Sequence, residues 1–247
     1  MRDDPGEDVA RLIDGDDRRL LLVADHASSH VPPDIDLGIP DTLLSEHVAV
    51  DVGVGPLTVA LAQALAAPAW LATVSRLVCD TNRPPGSSGM VPESSDGIAI
   101  PGNCNLSPAA YNRRLAIHRR FHDGLAAYIA RHQTQLLVSV HSFTPRLATS
   151  PDTARPWPVA VLWNQDRRGA DVALETLRRE PDLGGPVGAN EPYSGQILNY
   201  TMDRHAEANG IRYIGFEVRQ DLLVDATGIA IWAERLARTI RAVLDGI

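Results

Sequence analysis

The chain has 247 residues, of which 44% are hydrophobic and 22% charged, and its formal net charge is −8. This length allows one full hydrophobic core, and the acidic balance disfavours a nucleic-acid partner, which usually meets a basic surface. No apolar run approaches the ~20 residues that span a bilayer, and the N-terminal residues lack a signal-peptide pattern, so we expect no membrane partner. Cys79 and Cys104 are too few for a disulfide scaffold, which favours a reducing, cytoplasmic location.

Apolar runs and helical periodicity predict the order of the elements. Leucine recurs every fourth residue at Leu57, Leu61 and Leu65, as in an amphipathic helix. Ser107 before Pro108 is a typical helix start. In chain order we predict a flexible lead-in (1–18), a strand (19–24), a helical turn (41–47), a helix (53–66), a strand (69–74), a long loop (84–102), a helix (107–132), a strand (136–140), a second loop (144–158), a strand (159–163), two helices (167–179 and 199–209), a strand (213–218) and a C-terminal helix (227–244).

Strands and helices alternate over the whole chain after the lead-in. This alternation is typical of a mostly parallel, mixed sheet with helices on both faces. We therefore predict an α/β fold in which residues 19–247 form a single domain with three layers in the order α/β/α. Ligands of such sheets bind at the carboxyl ends of the strands, so polar residues at those ends are the candidates for function.

Two histidines stand where predicted strands end. His26 follows the first strand and His141 follows an unbroken apolar strand. Imidazoles from separate strand ends commonly hold Zn²⁺ with an open position for water, and a carboxylate can complete the site. Asp51, just before the first helix, is the preferred third ligand, and Asp25 and Glu46 are the alternatives. The simpler interpretations are structural histidines and a helix N-cap at Asp51.

Glu217 ends the last predicted strand and is the candidate general base. A carboxylate beside a metal-bound water is well placed to take one proton, because the metal lowers the pKa of that water. Arg219 lies two residues further on and would share the same face of the strand. A buried structural Glu–Arg pair is the alternative interpretation.

An anion-binding group is predicted after the second strand, at Arg76, Asn82 and Arg83. A guanidinium fork matches a carboxylate in bidentate geometry, and a neighbouring amide adds a donor. Anchoring of the loop is the alternative role for these residues. In an acidic protein, arginines concentrated at a candidate site favour a small anionic ligand.

His118 and His122 form an i, i+4 pair on the long helix, a spacing that can bind metal. Arg119 stands where the zinc-protease motif HExxH has its glutamate, so that motif is absent. The pair also shares a face with apolar residues of the helix. We therefore predict that these histidines lie in the core or behind the site.

The ordered segments resemble the N-formylglutamate amidohydrolase family over roughly residues 19–245. The family in turn is similar to zinc-dependent exopeptidases and amidases, with a phosphorylase/hydrolase-like fold. In zinc carboxypeptidases an Asn-Arg pair, a zinc histidine, a tyrosine and a catalytic glutamate occur in the chain order that Asn82-Arg83, His141, Tyr193 and Glu217 follow here. The segments that carry the resemblance are Asp25-His26-Ala27-Ser28, Asp51-Val52-Gly53, Ser75-Arg76-Leu77 with Asp80 and Asn82-Arg83, His141-Ser142-Phe143-Thr144-Pro145, Asn190-Glu191-Pro192-Tyr193-Ser194-Gly195 and Glu217-Val218-Arg219-Gln220-Asp221-Leu222.

The resemblance implies a metal-dependent amidohydrolase that releases formate and glutamate from N-formyl-L-glutamate, with a place in histidine degradation. Zn²⁺, or alternatively Co²⁺, would be held by His26, Asp51 and His141, with Glu217 as the catalytic base. Substrate contacts would come from Arg76, Asn82, Arg83, Tyr193 and Arg219. The alternatives are a deacylase of another N-acyl amino acid or peptide, and a non-catalytic protein that binds a small anion. We expect either a monomer or a homodimer.

Overall fold

A seven-stranded sheet forms the centre of the fold. The computed structural model describes residues 9–246. The sheet order is β1-β3-β2-β6-β9-β7-β8, and β4 and β5 form a separate hairpin. The strands are β1 (Ala10–Ile13), β2 (Leu20–Ala24), β3 (Ala69–Ala72), β4 (Ser94–Ser95), β5 (Ile98–Ala99), β6 (Leu136–Phe143), β7 (Val159–Leu162), β8 (Val187–Ala189) and β9 (Arg212–Arg219).

Residues 9–246 contain five α-helices, of which the last follows the final strand. They are α1 (Val54–Leu65), α2 (Pro108–His132), α3 (Arg168–Arg178), α4 (Tyr200–His205) and α5 (Ala226–Leu244). The Ser107 side chain accepts a hydrogen bond from the Ala110 amide and caps α2, and Asp225 caps α5 in the same way through the Gly228 amide. Within the described residues, no helix combines the length and the apolar character that crossing a bilayer requires.

Four neighbouring strands run in one direction and carry the site. Strands β3, β2, β6 and β9 pair in parallel, so their carboxyl ends lie at one edge of the sheet. Strands β1 and β7 pair antiparallel with β3 and β9, and β8 pairs parallel with β7. The result is the predicted mixed sheet, in which the central strand β6 is buried over its whole length.

Helices cover both faces of the sheet, as the predicted α/β/α order requires. Helices α1 and α3 both pack against α5 on one face. Gly169 of α3 lies against Ile214 of β9, whereas the hydroxyl of the adjacent Tyr213 contacts Glu207, just after α4. Adjacent strand residues point to opposite faces, so α4 lies on the other face. Helix α2 shares that face, because its His122 stacks on His205 of α4.

The structure departs from the predicted elements in a few places. Residues 10–13 form edge strand β1, so the flexible lead-in predicted for 1–18 is wrong there; residues 1–8 lie outside the described residues. Strand β8 and the β4–β5 hairpin were not predicted, because two or three residues give no periodicity. Strand β6 continues to Phe143, so His141 lies within the strand rather than after it.

Candidate metal and substrate site

The carboxyl ends of the parallel strands bring the predicted ligands together. His26 follows β2, and its carbonyl accepts a hydrogen bond from the Asp51 amide at 3.1 Å. Gly53 then adopts a φ of +80° and begins α1, and a Cβ at this position would lie 2.4 Å from the Leu223 Cβ. A side chain is excluded there by both backbone and space, so Asp51 is held at the start of the helix by a turn that requires glycine.

Asp51 is the carboxylate that contacts both imidazoles. Its Oδ2 lies 2.8 Å from Nδ1 of His141 and 3.3 Å from Nδ1 of His26. One ligand atom from each of the three residues lies within 4.8 Å of the others, and all three residues are buried. Of the alternative ligands, Glu46 is exposed and Asp25 lies near the other nitrogen of His141. The geometry therefore favours Asp51.

A buried carboxylate backs each imidazole on the side away from Asp51. The Asp80 Oδ1 lies 2.8 Å from Nε2 of His26. The Asp25 Oδ2 lies 3.5 Å from Nε2 of His141, an ion-pair distance at which neither atom has a hydrogen-bond partner among the described residues. Histidines that bind metal usually donate their second nitrogen to such a group, which fixes the ring and the tautomer.

Arg76 holds the two carboxylates that flank His26. Its Nη1 donates to Asp51 Oδ1 at 3.1 Å and its Nη2 to Asp80 Oδ2 at 2.9 Å. The predicted substrate role of Arg76 is thus only partly matched by its position: the side chain lines the cleft, but its fork is already engaged by the protein. Its clear structural effect is to orient Asp51 and Asp80.

Charges within this cluster shift its titration. Burial works against ionisation of Asp51, but the His26 and His141 imidazoles outweigh it and hold the pKa of Asp51 well below its ordinary value. Burial likewise opposes protonation of His141, yet Asp25 and Asp51 raise its pKa well above 6.5. The pKa of His26 is also raised, by Asp80 and Asp51 against burial and Arg76. A metal ion bound by these rings would therefore have to displace protons from them.

Glu217 lies beside His141 on the neighbouring strand. The two residues are register partners in β9 and β6. The Glu217 side chain is buried, and its Oε2 has no hydrogen-bond partner among the described residues. Burial raises the pKa of Glu217 to about 7, against the opposing charge of His141. A carboxylate with this pKa is suited to exchange protons near neutral pH.

The predicted anion-binding residues Asn82 and Arg83 line the same cleft, which has a volume of about 140 Å³. The Asn82 Oδ1 accepts a hydrogen bond from the Thr201 amide at 3.0 Å, so the amide NH₂ of Asn82 remains available as a donor. The Arg83 Nε lies 3.8 Å from Asp80 Oδ2, a loose pairing, and its side chain is 30% exposed. Arg83 is therefore the freer of the two cleft arginines.

Tyr193 lines the cleft and is fixed by a residue that sequence reasoning missed. Arg155 donates to the Tyr193 hydroxyl at 3.1 Å and to the Thr144 carbonyl at 3.1 Å, and its guanidinium lies 5.0 Å from the centre of the tyrosine ring. Arg219 does not line the cleft; its Nε donates to Asp221 at 2.8 Å. It shares the sheet face of Glu217, but it ends the strand, and its long side chain bonds to the carboxylate in the following turn.

Other residues of the site carried weak sequence signals. His47 lines the cleft and bonds Asp96 of the β4–β5 turn at 3.0 Å. Asp80 could have been found from its i, i+4 spacing to Arg76, a common ion-pair spacing. No local pattern connects Arg155 with Tyr193, because the pair joins two separate loops.

Comparison with known proteins identifies the family of the chain. The family model of N-formylglutamate amidohydrolase matches residues 18–224. A solved gene product from Agrobacterium tumefaciens is 29% identical, with a TM-score of 0.88 and coverage of 96% of this chain and 95% of that one. The N-formylglutamate amidohydrolase from Ralstonia eutropha JMP134 is 19% identical, with a TM-score of 0.72 and coverage of 96% and 99%, which supports the fold. No curated protein sequence is significantly similar. The chain belongs to the N-formylglutamate amidohydrolase family and is an enzyme of the amide-hydrolysing class.

Proposed function

We propose that this enzyme is a divalent-metal-dependent amidohydrolase that converts N-formyl-L-glutamate and water to formate and L-glutamate. One observation carries the proposal. The Nδ1 atoms of His26 and His141 converge on Asp51 Oδ2, beside the buried carboxylate of Glu217. The cleft that contains this group also presents Arg83, a cation suited to a substrate carboxylate.

The donor set fits a metal ion such as Zn²⁺. Two imidazole nitrogens and one carboxylate oxygen are typical ligands of catalytic zinc. Both imidazoles have a buried carboxylate behind them, which is the usual outer arrangement of such sites. When bound, the metal would polarise the formyl carbonyl and lower the pKa of water. Co²⁺ suits the same ligands and is the alternative.

Glu217 performs the proton transfers in this proposal. Its carboxylate takes a proton from the attacking water as the new C–O bond forms at the formyl carbon. It then gives that proton to the amide nitrogen as the C–N bond breaks, so the products are formate and the free amine. A buried carboxyl with a pKa of about 7 can both accept and return this proton near neutral pH.

Substrate orientation comes from the loop after β3 and from Tyr193. The Arg83 guanidinium and the Asn82 amide donate to a substrate carboxylate, and Arg76 adds positive charge on the same side. Tyr193, held by Arg155, borders the bound ligand. Arg219 contributes less than was predicted, because Asp221 engages it.

The test is formate release from N-formyl-L-glutamate by the purified enzyme, with metal content measured alongside and a chelator control. We expect release that stops when the metal is removed and returns with Zn²⁺ or Co²⁺. A metal-loaded enzyme that is inert on this compound but cleaves other N-acyl amino acids or peptides would favour the deacylase alternative. A protein without metal and without activity in added Zn²⁺ or Co²⁺ would favour a non-catalytic anion-binding protein.

The remaining expectations belong to the same proposal. A small anionic N-acyl amino acid is the partner, and nucleic acid and membrane are not. A cytoplasmic location, favoured by the low cysteine content, and a place in histidine degradation, implied by the resemblance, are part of it. A monomer and a homodimer are both compatible with it.

A further inference from the structure

Three buried histidines lie behind the substrate side of the cleft and are not used in the chemistry above. His118 and His122 belong to α2, and His205 belongs to α4. The His118 and His122 rings lie 4.4 Å apart, and the His122 and His205 rings stack at 5.1 Å. All three side chains are almost completely buried, and none of them lines the cleft. So many buried imidazoles require an explanation other than packing.

The two histidines of α2 hold the backbone of the anion-binding loop. The Nε2 of His118 lies 2.9 Å from the Arg83 carbonyl, and the Nε2 of His122 lies 2.8 Å from the Thr81 carbonyl. A carbonyl can only accept, so both Nε2 atoms carry a proton. In a neutral His122 ring the Nδ1 then accepts from Nε2 of His205, 2.9 Å away. These contacts place a proton on the Nε2 atom of each of the three rings.

Burial agrees with this assignment. It lowers the pKa of His122 to about 3 and that of His205 to about 4, and it also lowers the pKa of His118. The donors therefore remain neutral and correctly oriented throughout the physiological pH range. Their hydrogen bonds to the loop do not depend on a change of charge.

Helix α4 adds a contact to the same loop. The Thr201 amide donates to the Asn82 side chain at 3.0 Å. Asn82 and Arg83 lie in a turn rather than in a helix or strand, so no regular ladder fixes their direction. Contacts from α2 and α4 replace that ladder on the side away from the cleft.

We propose that His118 and His122 are positioning residues for substrate binding, which hold the carbonyls of Arg83 and Thr81 so that Arg83 and Asn82 face the substrate carboxylate. This inference rests on the proposed function of Arg83 and Asn82. The histidines do not touch the reacting atoms. Their effect is on the affinity for the anion rather than on the proton transfers at Glu217.

The test uses two amides of different reach at position 118. In His118→Gln the side-chain NH₂ occupies the place of the imidazole Nε2 and keeps the donor to Arg83. In His118→Asn the amide is one methylene shorter and leaves that carbonyl without a donor. His132→Asn is the matched control, because His132 lies on the same helix and contacts Tyr128 instead of the loop.

We expect His118→Asn to raise KM for N-formyl-L-glutamate about tenfold, the loss expected for one hydrogen bond, with kcat within about threefold of wild type. His118→Gln and His132→Asn should leave KM near wild type. A merely structural role would instead lower the melting temperature or the active fraction and leave KM unchanged. An unchanged KM in folded His118→Asn would overturn the proposal. If His118→Asn does not fold, His122→Gln and His122→Asn test the hydrogen bond to the Thr81 carbonyl in the same way.

Amide hydrogen exchange separates this inference from the substrate assignment. The peptide containing residues 80–83 should exchange faster in His118→Asn than in His118→Gln, whatever the substrate is. A wild-type enzyme that is inactive on N-formyl-L-glutamate would refute the proposed function alone, and exchange would then decide the positioning role. Equal exchange in the two variants would refute the positioning role even if wild type is fully active.

Discussion

Replacement of Glu217 by Gln should stabilise the metal-free protein. The same replacement should abolish most of the activity of the metal-loaded enzyme. Folding raises the pKa of this carboxyl from 4.5 to about 7, chiefly by burial. A raised pKa means that the folded state holds the proton more tightly, so stability is lost as pH rises from 4.5 to about 7. At about 1.4 kcal/mol for each pKa unit, keeping the carboxylate ionised costs about 3 kcal/mol above pH 7.

Glutamine removes that cost because it does not ionise. We expect the free energy of unfolding of Glu217→Gln to exceed that of wild type by up to about 3 kcal/mol at about pH 8, with the difference vanishing near pH 4. Urea unfolding of both proteins in excess chelator, at several pH values, measures it. Glu234→Gln is the matched control, since Glu234 lies on the exposed face of α5 and its side chain is 78% exposed.

The same variant tests catalysis. With metal restored, Glu217→Gln should lose at least about 100-fold in kcat, the usual contribution of a general base, and should keep its metal. A variant that is no more stable than wild type at about pH 8, or a gain that does not depend on pH, would refute the ionisation argument. An active variant would remove Glu217 from the mechanism.

Further outcomes follow from the site. Zn²⁺ affinity should fall as pH decreases, because the pKa values of His26 and His141 are raised and the rings must lose protons to bind metal. Calorimetric titrations with Zn²⁺ at two pH values would measure this dependence. An affinity that does not change with pH would contradict it. Asp80→Asn should weaken metal binding about 10- to 100-fold, measured by competition with a chelator. Arg83→Ala should raise KM about tenfold or more, the loss of one charge-assisted hydrogen bond. Arg219→Ala should leave KM nearly unchanged. A larger rise in KM for Arg219→Ala than for Arg83→Ala would contradict the placement of Arg83, rather than Arg219, in the cleft.

The pattern of apolar and polar residues predicted most of the central strands and long helices, because these elements carry strong local sequence signals. The apolar run of β6 indicated a central strand, and Ser107 with Pro108 marked the start of α2. Polar residues directly after such runs were then predicted to meet at one edge of the sheet. His26 and His141 meet there because β2 and β6 are parallel neighbours.

Other features could not be predicted, because they depend on pairing between distant segments. An apolar run has no direction, so nothing local to residues 159–162 shows that β7 runs against β9. An arginine pattern likewise indicates charge but not a partner. Arg76 bonds the protein's own Asp51 and Asp80, and Arg219 bonds Asp221, although both were predicted to bind substrate.

The pairing of His141 with Glu217 has a consequence for how this enzyme can change. The two residues are opposite each other in adjacent parallel strands, so the backbone hydrogen bonds of the sheet set their separation. The cleft walls come from the loops that carry Arg83, Thr144 and Tyr193. Insertions or exchanges in those loops can therefore alter the shape and charge of the cleft while His141 and Glu217 keep their spacing. The specificity of the cleft can change at its loops without rebuilding the strand ends that carry these two residues.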